Sequence, residues 1–333
     1  MFVPVVDQNQ VPLMPTSPRR ARRMMESGKA TGFWKRGVFC IRLNVEPSAR
    51  ELQPIAVGID PGSKREGYSV KSEAHTYLNI QTIAVSHVKK RVETRQMLRR
   101  NRRYRKTPYR QCRSNRGVGF RLPPSTRARW GWKLRIASWL KKMFPITAFV
   151  VEDIQARTMK NGRKWNVQFS PLEVGKAWGY EQLRNLARVD LMQGHETHEI
   201  RTRLGLPKTR DKLAKKFSAH CVDAWVLAND WVGGHLKPDN ERMLFLDPIQ
   251  FQRRNLHDQL FAEGGIRRRA GGTISLGLKK GRLAKHTKHG LCYIGGNANG
   301  RLTLCDVSTG ARIARNAKTE DLRLLAFNSW RFA

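Results

Sequence analysis

Asp60, Glu152, His220 and Asp223 are the residues of this sequence whose types and placement could do chemistry. His220 and Asp223 lie three apart in HCVDAWVLAN, and residues at i and i+3 share one face of a helix. Val222, Trp225, Val226 and Leu227 give that helix enough apolar surface to be partly buried. Asp60 ends the alternating stretch IAVGID, and Glu152 comes at the end of the apolar run ITAFVVEDI. Acidic groups far apart in sequence but gathered at one sheet edge can hold two divalent ions about 4 Å apart. Such a pair clamps the attacking and leaving oxygens of a phosphodiester. Hard oxygen ligands favour magnesium. Two Mg²⁺ ions are therefore expected, with Mn²⁺ able to substitute.

Positioning these groups requires strands for the first two and a helix for the last pair. In IAVGIDPGSKREGYSV, Ile55, Val57 and Ile59 alternate onto one face, and Ala56, Gly58 and Asp60 onto the other. Small neighbours on the second face predict open space around the Asp60 carboxylate. TYLNIQTIAV supplies a further strand and an antiparallel meander. The β-branched run ending at Glu152 reads as a buried strand; Asp153, next to Glu152, then points to the opposite face. Trp132, Ile136, Trp139 and Met143 form one stripe of a core-facing helix between these strands. Nearer the start, Ser17, Pro18 and Gly28 mark a short helix by cap, first-turn proline and terminal glycine, and VFCIRLNV reads as a strand.

The charge narrows the partner. The 333 residues include 64 Lys and Arg against 26 Asp and Glu, for a formal charge of +38. A globule this basic repels itself unless a polyanion neutralises it, so nucleic acid is the expected partner. Arg19, Arg20, Arg22 and Arg23 crowd the first helix, where cations oppose the helix dipole and an external anion would offset that cost. Residues 88–116 hold thirteen Lys or Arg and a single acid, Glu93. Within them Arg91, Arg95, Arg99 and Arg102 follow helical spacing, while Arg100 and Arg103 point elsewhere around the same helix, and Arg105 is a further candidate contact to nucleic acid. A helix basic on several faces cannot enter a core, and arginine's fork suits phosphate. No apolar run approaches the roughly 20 residues of a spanning helix, and MFVPVVDQNQ lacks the charged start of a signal peptide. A cytoplasmic chain without a membrane partner is expected. Five scattered cysteines without a CxxC pair read as reduced thiols. His195 and His198, in GHETHEI, miss the HExxH spacing by one residue and read as surface or packing groups.

AVGIDPGSKREG, FVVEDI and HCVDAWVLAN together resemble the three split motifs of RuvC-type nucleases of the RNase H fold. VPLMPTSPRRARRM is similar to the N-terminal PLMP segment of the IscB group of transposon-encoded RNA-guided nucleases, and TRLGLPKT also resembles that group. The arginine-rich run lies where the group has its bridge helix. No histidine and asparagine set between Glu152 and His220 would make an HNH module, so the resemblance is to the IsrB subgroup, which lacks one. It implies an α/β, RNase H-like core with this division: a PLMP segment over 1–52, RuvC part I over 53–87, a bridge helix over 88–116, RuvC parts II and III over 117–238, and a β-rich C-terminal domain over 239–333 that reads a short target-adjacent motif. It also implies a bacterial or archaeal nickase that cuts the displaced strand of an RNA–DNA loop, one protein per structured guide RNA, acting on double-stranded DNA. By motif, Asp60 would bridge two metals and Glu152 and Asp223 hold them individually. His220 would orient or deprotonate water or contact the phosphate; the sequence does not separate these roles. An RNA scaffold is physically reasonable, because a compact chain of this length has a radius of gyration of roughly 20 Å. A guide heteroduplex of about 20 base pairs is on the order of 60 Å long. An unguided junction resolvase or a catalytically silent guided binder are the alternatives. The first needs no PLMP segment, and the second would be expected to lack one of the acids.

Overall fold

The computed structural model of the chain describes residues 2–47, 50–106, 122–153, 171–248, 274–327 and 330–332. The first of these build a small layered unit. β1 (Val3–Val6), β2 (Pro12–Thr16), β3 (Ala30–Lys35) and β4 (Val38–Leu43) form a sheet in the order β2-β1-β4-β3, with α1 (Pro18–Glu26) after β2. The Ser17 hydroxyl accepts from the Arg20 amide at 3.3 Å and caps α1. Gly28, at φ +70°, ends it in the left-handed region where a glycine costs least. Val3, Val5, Leu13, Ala21 and Ile41 close the small core.

Next come β5 (Ile55–Asp60), β6 (Arg65–Ser72), β7 (Thr76–Ile83), α2 (His87–Lys106), α3 (Pro124–Lys141), β8 (Ala148–Asp153), α4 (Pro171–Arg184), β9 (Arg188–Gln193), α5 (Gly194–Arg203) and α6 (Phe217–Val232). β10 (Met243–Pro248) follows, and then β11 (Ile274–Ser275), β12 (Leu278–Lys279), β13 (Arg282–His286), β14 (Gly290–Ala298), β15 (Arg301–Asp306), β16 (Arg312–Ala317), β17 (Leu322–Phe327) and β18 (Trp330–Phe332). The fold is mixed α/β. Its main sheet runs β18-β10-β7-β6-β5-β8-β9. β5, β6 and β7 form an antiparallel meander, and β8 and β9 run parallel to β5. The C-terminal strands form a separate antiparallel sheet, β16-β15-β14-β13-β17, around Cys292, Ile294, Leu302 and Leu304. The main sheet nevertheless crosses the boundary expected at 239. β10 pairs parallel with β7, and β18 pairs antiparallel with β10, Pro248 opposite Trp330. Trp330 is fully buried against Trp132 and Trp139, at ring-centroid distances of 5.8 and 4.8 Å.

The two faces of the main sheet differ. Ile55, Val57, Ile59, Tyr68 and Val70 share one buried core with Trp132, Ile136 and Trp139 of α3. Fully burying each large apolar side chain is worth about 1.5–3 kcal/mol. The other face carries small residues, and the open space expected there is occupied by α6. A Cβ on Gly58 would lie 1.8 Å from the Ala224 carbonyl oxygen, and one on Gly67 would lie 2.3 Å from that of His220. Glycine at these positions lets the α6 backbone lie directly on β5 and β6. Lys71 closes the far end of that contact, donating to the carbonyls of Ser72, Glu73 and Gly233 at 2.9, 3.3 and 3.3 Å. Among the described residues no helix is long and apolar enough to cross a membrane. Cys40, Cys221, Cys292 and Cys305 are free thiols, and burial pushes the Cys40 thiol up to about 12; Cys112 lies outside the described residues.

Candidate active site

β5 and β8 run parallel as neighbours, so their C-terminal ends lie together at one edge of the sheet. Asp60 ends β5 and Glu152 comes one residue before the end of β8, both on the face covered by α6. The first turns of α6 bring His220 and Asp223 to the same place. All four are buried: Asp60 is 4%, Glu152 7%, His220 7% and Asp223 0% exposed. Asp153 does point to the opposite face. It accepts from Tyr180 at 2.8 Å and Gln193 at 3.2 Å and pairs with Lys176 at 2.7 Å, so it ties α4 and the end of β9 to β8.

The electrostatics are those of acids forced together. Burial, followed by the charges of Asp60 and Asp223, pushes the Glu152 carboxyl up to about 8. Asp60 meets the His220 Nδ1 at 2.7 Å, and the His220 Nε2 lies 3.1 Å from the Lys212 carbonyl oxygen. Both ring nitrogens thus face oxygen acceptors, an arrangement that suits the doubly protonated ring. Burial by itself would lower the His220 pKa, but the Asp60 hydrogen bond and charge outweigh it and the net shift is upward. Asp223 is held on both oxygens by cations: Arg201 of α5 on Oδ1, and Lys208 from the loop before α6 on Oδ2.

Among the described residues no set of three or more His, Cys, Asp and Glu surrounds a common point as a preformed metal shell. The physical reason is visible in the pairs above, since His220 takes Asp60 and two side-chain cations take Asp223. The donor set nevertheless fits a hard divalent cation. Three carboxylates converge in a buried space, and in one of them, Glu152, burial and then the two neighbouring acids strongly raise the affinity for a proton.

Of the residues expected from the sequence, the structure brings Asp60, Glu152, His220 and Asp223 together. It leaves His195 and His198 exposed; the His198 Nδ1 lies 3.0 Å from Arg201 Nη2. Arg19, Arg20 and Arg23 line an open groove of about 1040 Å³ beside β2, with Lys29, and Arg22 is exposed nearby. α2 displays Arg91, Arg95, Arg99 and Arg100 to solvent. The side chains of Arg102, Arg103 and Arg105, and the run from 107 to 116, lie outside the described residues. Arg201, Lys208 and the Lys212 carbonyl were not singled out from the sequence. TRLGLPKT contains Lys208, but in a chain with 64 Lys and Arg nothing local marks one lysine as the partner of a distant acid.

On the opposite face of the same strands is another buried carboxylate, separate from these three. Glu66 of β6 accepts from Lys133 of α3 at 2.6 Å and from the Tyr68 hydroxyl at 2.9 Å. Burial, and then Glu66, raise the Tyr68 pKa well above the usual phenol value.

A mixed α/β protein with a buried acidic cluster at the edge of its main sheet is the class that fold and site define. Residues 3–170 match the sequence model of the family described as RRXRR protein, about half of the chain, and the chain belongs to that family. No curated protein matches it. Among solved structures, it is similar to Thermus thermophilus RuvC in complex with a Holliday junction substrate, at 12% identity and a TM-score of 0.30, over 54% of this chain and 97% of that one. A second Thermus thermophilus RuvC structure gives 12%, 0.24, 52% and 90% in the same order. The yeast mitochondrial Holliday junction resolvase Ydc2 gives 14%, 0.27, 55% and 80%. Likeness at this level is no argument for an activity, which has to rest on the site.

Proposed function

We propose that this chain is a magnesium-dependent endodeoxyribonuclease of the RuvC type, directed by a structured guide RNA, that nicks the displaced strand of an RNA–DNA loop. The observation that carries the nuclease reading is the convergence of Asp60, Glu152 and Asp223 with His220 in one buried space. The strand order β7-β6-β5-β8-β9, a meander continued by parallel strands, supports the RNase H-like core. The guide RNA rests on the PLMP and bridge-helix resemblance and on the +38 charge. The HNH-lacking IsrB subgroup remains the finer assignment, with the division at 52, 87, 116 and 238 that it implies.

Asp60, Glu152 and Asp223 would hold two Mg²⁺ ions, or Mn²⁺ in their place. Such ions, when bound, lower the pKa of water and neutralise charge on a phosphoryl group. In the hydrolysis, one P–O bond forms from water and the bond to the leaving oxygen breaks; the proton lost by water is balanced by the one gained at that oxygen. Asp60 fixes the orientation of His220 through Nδ1, and Nε2 is then the atom able to meet the water or the phosphate once it leaves Lys212. Arg201, anchored on α5, holds the Asp223 carboxylate in one orientation. Arg19, Arg20, Arg22 and Arg23 on α1 and Arg91, Arg95, Arg99, Arg100, Arg102, Arg103 and Arg105 on α2 would contact nucleic-acid backbones. Within residues 239–333, the separate sheet β16-β15-β14-β13-β17 would read the DNA motif beside the target.

The test is to express the gene with its native flanks, sequence the RNA that copurifies, and assay nicking of a matched loop substrate in Mg²⁺. A single RNA with a constant fold and a variable end is expected. Asp60→Ala should lose at least about 10⁴-fold in rate while keeping RNA binding. Undiminished nicking by that variant would remove Asp60 from the active site. A smear of cellular RNA with Mg²⁺-dependent cutting of junctions would replace guided nicking by the resolvase reading.

A further inference from the structure

The segment 205–216, GLPKTRDKLAKK, joins α5 to α6 and makes two contacts with the site. Lys208 holds the Asp223 Oδ2, and the Lys212 carbonyl faces the His220 Nε2 at 3.1 Å. It is anchored near its ends, where Leu206 packs against the buried face of α6 and Lys215 lies over the Phe245 ring at 5.3 Å, and is lightly attached between them. The Thr209 amide donates to the Ser218 carbonyl at 3.0 Å, and the Gln81 side chain donates to the Ala214 carbonyl at 3.0 Å. Most of its residues are exposed, among them Arg210, Lys212, Lys215 and Lys216. One light segment thus engages two of the four groups on which the proposed chemistry depends.

The two cations on Asp223 are not equivalent. Arg201 comes from a packed helix, its side chain is 13% exposed, and it has a second partner in His198. Lys208 comes from the loop and its side chain is 35% exposed. A fully buried carboxylate needs a counter-charge. Without a metal, a flexible ammonium from the nearest loop can supply it. Lys208 also acts on the other acids, since its charge offsets part of the upward shift of Glu152 and opposes that of His220. An ammonium on Oδ2 and a divalent cation shared by these carboxylates repel each other at such distances, so the two compete for one place.

We propose that residues 205–216 form a strap in which Lys208 stands in for a divalent cation at Asp223 and the Lys212 carbonyl caps His220. Lys208 leaves when a divalent cation takes its place, and the strap then lifts from His220. The proposal rests on the nuclease reading of the site and adds to it a coupling between ion binding and loop opening. Positive residues on the lifted strap are then available to a substrate strand.

The test uses the full chain freed of nucleic acid by high salt, with Mn²⁺ as probe, calorimetry for affinity and amide hydrogen exchange for the strap. In the wild type, Mn²⁺ should speed exchange across 205–216 relative to α6. Lys208→Met should bind Mn²⁺ about tenfold more tightly and show fast exchange there already without the ion. Lys208→Arg, which keeps the charge, should stay near the wild type in both. If Mn²⁺ binds, but with equal affinity in wild type and Lys208→Met and unchanged exchange over 205–216, the strap is overturned while the nuclease reading stands. If wild type and Asp223→Asn alike bind no Mn²⁺, the metal reading of the site fails and the strap with it.

Discussion

Two buried carboxylate sites lie back to back across β5 and β6, and they are built on opposite principles. Glu66, on the α3 face, has one ammonium and one hydroxyl for its two oxygens. Charge and hydrogen bonds balance there, and every group comes from a strand or helix. On the α6 face, Asp60, Glu152 and Asp223 meet with His220, and part of the compensating charge comes from a loop. The first site is complete as folded. The second sets three carboxylates against His220, Arg201 and Lys208, with Glu152 strongly raised by burial and by its two acidic neighbours, and acids perturbed in this way cluster at functional sites.

The largest effect that would probe this contrast is at the balanced site. Lys133→Met leaves Glu66 buried without its ammonium and should cost about 3–5 kcal/mol in urea unfolding. Replacing both partners by apolar residues of similar size should recover most of it. If Lys133→Met proves neutral, the Glu66 site is not the closed structural pair described here. Gly58→Ala sharpens the comparison from the other face alone. Its Cβ meets backbone of Ala224 and Ala228, which cannot rotate away, so a loss of about 1–3 kcal/mol is expected, with α6 displaced and the site disturbed. A fully stable Gly58→Ala would mean that α6 does not lie so close to β5.

The third effect is a slope, small over any single pH unit. Glu152 is raised in the folded chain from 4.5 to about 8. Between those values the folded chain keeps a proton that the unfolded chain has released. The penalty is therefore absent below about pH 4.5, grows as pH rises, and is complete above about pH 8. In metal-free protein this contributes a fall in stability of up to about 1.4 kcal/mol per pH unit across that window. Denaturant melts in chelator over the window should show a shallower fall for Glu152→Gln than for wild type. Parallel slopes would mean that Glu152 is not under this strain.

The sequence was informative where function and fold depend on local pattern. Alternation in IAVGID identified the strand and its two faces, and the i, i+3 spacing placed His220 and Asp223 on one side of a helix. The Trp132, Ile136, Trp139 and Met143 stripe pointed to α3 and its buried face; the first three are buried on α3 and Met143 is buried in the turn just after it. It was silent where structure depends on distant partners. Small residues beside Asp60 read as open space, because nothing in the strand says that a helix far along the chain will lie on them. Lys208 and Arg201 carry no local signal among so many cations. The pairing of β10 with β7, and of β18 with β10, joins segments whose own patterns are too short to reveal their neighbours.

The return of β18 to the main sheet has a consequence for the order in which the protein can be made. During synthesis the meander β5–β7 emerges well before its neighbours, since among the described residues the edge of β7 is covered by β10, and the edge of β10 by β18. Until Trp330 arrives, Trp132 and Trp139 lack the ring that fills the space between them. A nascent chain thus carries an unpaired strand edge and exposed tryptophan surface until β10 and β18 have been made, features that invite misassociation. An anionic polymer gathering onto the early arginine-rich helices would keep such chains apart by charge while the sheet waits for its last strand.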